Sequence, residues 1–185
     1  TIAVAAGLLG LVSAESRSAG KIAIGVGPDV LLPLGSFGDA YNVGFGGTAR
    51  GQYMVNEQFS VIVTAGYLTF SVKNVPSGVS IDNATMIPIV AGGKYYFTPS
   101  GSMRFYGIAE IGITSFKQSL AGSAGGQSFN FGSVTSTEFT YAPGIGFETD
   151  LGGGNTKIDV GVRWNGISDA NSIGGRVGIL FGLGN

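Results

Sequence analysis

Glu110 is the one charged residue in the apolar, glycine-dotted stretch from Phe105 to Phe116, which reads F-Y-G-I-A-E-I-G-I-T-S-F. A carboxylate in such a setting must face water, pair with a cation in a core, or act in catalysis. The 185-residue chain contains no histidine and no cysteine. It therefore lacks the residues for Ser-His-Asp catalysis, for a thiolate nucleophile and for the commonest metal sites. We expect no enzymatic activity, no metal site and no cofactor.

The composition is unlike that of a water-soluble domain. Charged residues make up 11% of the chain, against about 25% in ordinary soluble proteins. The mean hydropathy is +0.34, yet no apolar run reaches the ~18–20 residues of a membrane helix. The net charge is −1 and basic residues are not clustered, so we expect no nucleic-acid partner.

Residues 1–14, T-I-A-V-A-A-G-L-L-G-L-V-S-A, resemble the rear of a secretory signal. The run Ile2 to Val12 has the length of an apolar signal core, and Val12-Ser13-Ala14 suits a cleavage site. The segment predicts export, and export without cysteine fits a bacterial envelope. A second hypothesis is that the segment is retained and packs against a barrel. We therefore divide the chain into this segment, a lead-in at 15–20 and one domain at 21–183.

From Lys21 onward, apolar and small or polar residues alternate with period two, which predicts strands. The pattern predicts eight strands at 21–27, 44–54, 58–72, 84–97, 103–116, 137–149, 156–167 and 172–183. The connections are mostly long on one side, including 28–43 and 117–136, and short on the other. This asymmetry is typical of outer-membrane barrels. We predict an all-β fold, an eight-stranded antiparallel up-and-down β-barrel of the outer-membrane type.

In each predicted strand one face is bulky and apolar, and the other combines small residues with a few long charged ones. The interior of an eight-stranded barrel is only just wide enough for side chains. We therefore place the apolar face in lipid and the charged face in the lumen, where buried charges need partners. The predicted lumen network consists of Arg50, Lys94, Arg104, Glu110, Glu138, Glu148, Asp159, Arg163 and Arg176. With Lys21 and Lys157 on the same face, the inner surface has a predicted surplus of three positive charges.

Four aromatic residues fall on the predicted lipid face, namely Tyr53, Tyr95, Tyr141 and Trp164. Such residues suit an aromatic belt at the membrane–water interface. Simple packing against lipid is an equally good interpretation.

Four segments resemble a known family. They are G-V-G-P-D-V-L-L-P-L-G-S-F-G-D-A-Y, M-I-P-I-V-A-G-G-K-Y-Y-F, Y-A-P-G-I-G-F-E and G-G-R-V-G-I-L-F-G-L. From Lys21 to Leu183 the chain is similar to the small eight-stranded outer-membrane β-barrel proteins of Gram-negative bacteria, the porin-like superfamily of the outer-membrane protein A and W types. The resemblance implies the outer membrane as location, its lipid as partner and a variety of functions.

Three functional hypotheses follow. The first is a non-enzymatic outer-membrane barrel with a structural or porin-like role and a lumen filled by a charged network. The second is a self-assembling barrel subunit of an envelope or extracellular polymer, in which the apolar N-terminal segment contacts other copies. The third is a narrow transporter for small apolar or anionic solutes.

Overall fold

The computed structural model describes residues 22–73, 79–81, 83–124, 127–152, 155–168 and 170–183. The apolar segment 1–14, the lead-in 15–20 and Lys21 lie outside the described residues. The described elements are β1 Ile22–Pro33, α1 Gly35–Ala40, β2 Gly44–Met54, β3 Phe59–Phe70, β4 Val79–Ile81, β5 Ala84–Tyr96, β6 Met103–Ala124, β7 Gln127–Asp150, β8 Thr156–Ile167 and β9 Ser172–Leu183.

Eight of these strands form a closed antiparallel barrel, which confirms the predicted fold class. Successive long strands pair along the chain, and β9 pairs with β1 to close the ring, with Ile22 opposite Leu183. The three-residue β4 pairs only with the outer part of β6. Closure satisfies the strand backbone without leaving a sheet edge in the barrel wall.

The barrel has two different ends. We call the end with the β2–β3, β5–β6 and β7–β8 connections the turn end; Ile22 and Leu183 also lie there. The opposite end, which carries α1 and the β3–β5, β6–β7 and β8–β9 connections, is the loop end. No helix in the described part of the chain is long and apolar enough to cross a membrane.

Side chains alternate across the wall as period-two patterning requires. On β9 the residues Val177, Ile179 and Phe181 are exposed on the outside, whereas Arg176 and Leu180 are buried in the lumen. The other barrel strands also expose large apolar side chains outwards. An apolar surface on this scale is unlike that of a soluble monomer and fits a lipid environment.

Two segments that we predicted as loops form strands over part of their length. β1 continues to Pro33, although we predicted that it ends at Gly27. Pro28 has no N–H to donate, and the β1–β9 ladder skips Gly27 and Pro28 but resumes at Asp29. The predicted loop 28–43 therefore begins six residues too early, and for this reason the predicted lumen network does not include Asp29.

The predicted loop 117–136 belongs largely to a β-hairpin that extends β6 and β7 beyond the barrel wall. The two strands remain paired from Met103 opposite Thr149 to Ala124 opposite Gln127, with a register shift between Leu120 and Ala121. Gly132, at φ +102°, lies opposite Leu120 at this irregularity. The Ser-, Thr- and Gly-rich composition suggested a loop, but cross-strand hydrogen bonds compensate for weak strand propensity. The boundaries of the other barrel strands differ from prediction by at most two residues.

Candidate functional site

The middle of the lumen is filled by buried charged side chains. Four are carboxylates and five are cations, a surplus of one positive charge: Asp29, Glu110, Glu148, Asp159, Arg50, Lys94, Arg104, Arg163 and Arg176. They come from every barrel strand except β3, and β3 contributes the Thr64 hydroxyl. Because barrel strands alternate inward and outward residues, these side chains converge across the interior.

Asp159 is the most connected carboxylate. Its Oδ2 atom lies 2.8 Å from Arg50, 2.9 Å from Arg176 and 3.3 Å from Lys94. Its Oδ1 atom accepts a hydrogen bond of 2.5 Å from the Tyr106 hydroxyl. Charge-assisted hydrogen bonds of this kind are stronger than neutral ones, and Asp159 receives four of them.

Glu148 is the second centre, nearer the turn end. It accepts bonds of 2.7 Å from Lys94, Arg104 and the Tyr96 hydroxyl. Lys94 thus links Glu148 to Asp159 and also lies 4.2 Å from the centre of the Tyr106 ring. The Arg104 guanidinium lies 4.5 Å from the centre of the Tyr96 ring. These cation–π contacts add to the ion pairs.

The structure places Glu110 in a buried core with partners. Glu110 accepts a 2.6 Å bond from Thr64 and a 3.3 Å bond from Arg163, and Arg50 lies 3.9 Å away. Asp29 completes the arrangement, because it contacts Arg163 at 3.2 Å and Arg176 at 3.8 Å. Six residues thereby form a closed ring of alternating charge: Asp29, Arg163, Glu110, Arg50, Asp159 and Arg176.

Apolar groups pack on both sides of the charged layer. Towards the loop end the buried cluster contains Leu31, Phe37, Leu68, Phe70, Ala84, Met86 and Ile167. Towards the turn end it contains Ile62, Tyr96, Tyr106 and Ile108. Between the charged layer and the first cluster lies a cavity of about 10 Å³ lined in part by Thr114, Thr140 and Arg163. That volume holds about one water molecule.

Eight of the nine residues that we predicted for the lumen network lie in this buried layer. Glu138 does not: it is only partly buried, and no ion pair joins it to another described residue. Lys157 pairs instead with Asp150 at the turn end, where both side chains are about one-third exposed. The buried layer of described residues has a surplus of one positive charge, and Lys21, which the predicted surplus of three includes, lies outside the described residues.

Sequence reasoning missed several residues of the layer. Asp29 lies in the predicted loop 28–43, although it has the same parity as Leu31 once β1 is extended through Pro28. Tyr96 and Tyr106 share the inward parity of Lys94 and Glu110, and their hydroxyls donate to Glu148 and Asp159, but neither is in the predicted network. The period-two pattern places both tyrosines in the lumen. Because a buried phenol needs a polar partner, the pattern could have predicted that both hydroxyls bond to lumen charges.

The four proposed belt residues are exposed on the outer surface. Tyr53 and Tyr95 lie at the ends of β2 and β5 next to the turn end. Trp164 lies near the loop end of β8, and Tyr141 of β7 is paired with Gly166, which also lies near the loop end of β8. The four residues thus form two groups towards opposite ends of the barrel, and the belt itself stays a prediction.

A closed eight-stranded barrel with an apolar exterior and a charged, filled interior defines an integral outer-membrane β-barrel protein. A family model for the outer membrane protein beta-barrel domain matches residues 1–183, and the chain belongs to this family. The protein is located in the outer membrane, where lipid surrounds the barrel wall.

Solved structures support the same fold. The chain is similar to the attachment invasion locus protein Ail of Yersinia pestis, with 18% identity, a TM-score of 0.60, and coverage of 89% of this chain and 99% of Ail. It is also similar to OprG of Pseudomonas aeruginosa, with 14% identity, a TM-score of 0.62 and coverage of 92% and 99%. For Neisserial surface protein A the identity is 17%, the TM-score 0.60 and the coverage 90% and 99%. No curated protein matches the chain. These identities show a shared fold alone.

Proposed function

We propose that the protein is a non-enzymatic, non-conducting outer-membrane barrel with a structural role. The observation that carries the proposal is the filled lumen. Buried ion pairs occupy its middle, apolar clusters lie on both sides, and the cavity between the charged layer and the loop-end cluster holds about one water molecule.

The ion-pair layer acts as a barrier to solutes. A passing ion would have to break contacts such as Arg50–Asp159 at 2.8 Å or Lys94–Glu148 at 2.7 Å. Breaking a buried pair by removing one partner costs about 3–5 kcal/mol, because the other charge is left uncompensated. Wide aqueous channels occur in barrels of 16–18 strands, whereas an eight-stranded interior is filled by side chains.

The same layer gives the barrel rigidity. Its ring joins residues that are far apart in sequence and that come from five strands, β1, β2, β6, β8 and β9. Lys94 and Glu148 extend the connections to β5 and β7. A barrel that is cross-linked through its interior is suited to hold the loop-end hairpin in a fixed position above the membrane.

A narrow transporter for anionic solutes is the second candidate function. The surplus of one positive charge among the buried lumen residues favours anions over cations. Ail is known in complex with the heparin analogue sucrose octasulfate. The basic residues near the loop end of this chain that the structure describes, Lys73 and Lys117, are accompanied by Asp39 and Glu138, which does not favour a highly sulfated ligand here.

Solute flux in proteoliposomes separates the two functions. We expect chloride, a small amine and a small neutral sugar to cross at the rates measured for protein-free liposomes. Chloride flux that rises in proportion to the amount of protein would contradict the structural proposal and favour the transporter.

Light scattering of the detergent-extracted native protein addresses self-assembly: a monomer fits the structural role, and a polymer favours the assembling subunit.

A further inference from the structure

A second cavity lies at the loop end, outside the ion-pair layer. Its volume is about 280 Å³, and its lining includes Phe37, Tyr41, Phe116, Val134, Glu138 and Ile167. Small-molecule sites commonly measure about 300–1,000 Å³, so this cavity suits a ligand smaller than a typical drug. The loop end of an outer-membrane barrel faces the cell exterior. The cavity is therefore placed to receive a solute from outside without transport through the lumen.

Three aromatic rings line one part of this cavity. The Phe37 ring lies 4.9 Å from the Tyr41 ring and 6.1 Å from the Phe116 ring, measured between centroids. Phe37 is buried against the apolar cluster of the barrel. The Tyr41 hydroxyl donates a 2.9 Å hydrogen bond to Gln118, which connects the end of α1 to β6. A phenol is protonated at neutral pH and burial raises the pKa of Tyr41 further, so its hydroxyl is a donor. The aromatic wall is thus held in place before a ligand arrives.

Glu138 supplies a carboxylate that differs from those of the lumen layer. It lies on the inward parity of β7 with Thr140 and Ala142 and is partly buried. Each carboxylate of the lumen layer has at least one cation within 4 Å, whereas Glu138 has no ion pair with a described residue. Lys117 also lines the cavity, but it is exposed and has the outward parity of Ile113 on β6.

We propose that this cavity binds a small organic cation that carries an apolar or aromatic body, such as an aryl-alkyl amine. The Glu138 carboxylate is the counter-ion for the ammonium group. The rings of Phe37, Tyr41 and Phe116 contact the apolar body, and aromatic faces also attract a cation placed within about 6 Å. A neutral ligand of the same shape would use the rings alone, and an anion would be repelled by Glu138.

The test is a titration of the purified full-length protein in a maltoside detergent, whose headgroup is uncharged. Three probes of similar shape are compared by calorimetry: phenethylammonium, 2-phenylethanol and 3-phenylpropionate. We expect the amine to bind about tenfold more tightly than the alcohol, from a partly exposed ion pair together with a cation–π contact. We expect the carboxylate to bind more weakly than the alcohol.

Variants connect this preference to Glu138. Glu138→Gln should reduce the preference for the amine over the alcohol to the smaller preference that the cation–π contact alone gives, without changing the affinity for the alcohol. Glu57→Gln is the matched control, because Glu57 is an exposed carboxylate in the connection at the turn end; this variant should behave like the parent. Lys117→Gln should leave the affinity for the amine unchanged or increase it. Equal affinities for amine and alcohol, a preference for the carboxylate, an amine preference that Glu138→Gln leaves undiminished, or no binding of the amine at millimolar concentration would each overturn the proposal.

Discussion

Replacing Asp159 by asparagine removes one charge from the lumen while nearly preserving its shape. Three cations lie within 3.3 Å of the carboxylate, and the side chains of all four residues are at most 4% exposed. The variant leaves Arg50, Lys94 and Arg176 with one fewer counter-charge and raises the surplus in the buried layer from one positive charge to two. Because buried charges without a partner are costly, we expect the free energy of unfolding to fall by about 3–5 kcal/mol.

Asp150→Asn is the matched control. Asp150 pairs with Lys157, but both side chains are about one-third exposed, so water screens the interaction. Its loss should change the free energy of unfolding by at most about 1 kcal/mol. Urea unfolding of the protein in lipid vesicles, followed by the fluorescence of the single tryptophan, measures both variants. If the two variants were equally stable, the lumen charges would be hydrated, and the account of a dry, paired layer would be wrong.

Three further predictions concern the lumen and the membrane boundary. Glu148→Gln alone should destabilise the barrel more than Lys94→Met combined with Glu148→Gln, because the double variant removes both ends of a 2.7 Å pair. The same urea assay compares the two variants. A double variant that is less stable than Glu148→Gln would contradict the pairing. Gly146→Ala should cost about 1–3 kcal/mol through overpacking, because its new Cβ would clash with the Tyr106 hydroxyl and the Val160 carbonyl, whereas a Cβ at Gly51 meets nothing within 4 Å. Equal melting temperatures for Gly146→Ala and Gly51→Ala would refute the close contact. Trp164 should be quenched most strongly by lipids brominated near the headgroup; strongest quenching at the bilayer centre would refute its place in a belt.

The fold was predictable because a barrel strand repeats every two residues and the sequence keeps this repeat. In β8, for example, Val162 and Trp164 alternate with Arg163 and Asn165, and the structure exposes the first pair and buries the second. Because the chain has too few charged residues to cover a surface in water, the bulky apolar face is predicted to meet lipid. The sequence does not predict the second half of β1, residues 28–33, because Pro28 and Pro33 are typical of turns.

The pairing of the lumen charges could not be predicted in the same way. Parity gives the face of a residue but not its height in the barrel, which depends on strand register and tilt. Glu138 and Glu148 have the same parity on β7, yet Glu148 lies in the charged layer, bonded to Lys94, and Glu138 lines the loop-end cavity. Contacts such as Lys94 with Asp159 join residues 65 positions apart and require the closed structure.

The central claim is that the lumen is closed by paired charges and apolar clusters. Single-channel recording in planar lipid bilayers tests this claim most directly. We predict no steady conductance above that of the protein-free bilayer, because paired charges and apolar clusters fill the lumen. Large, steady, cation-selective channels would contradict both the closed lumen and the placement of the charged residues inside it.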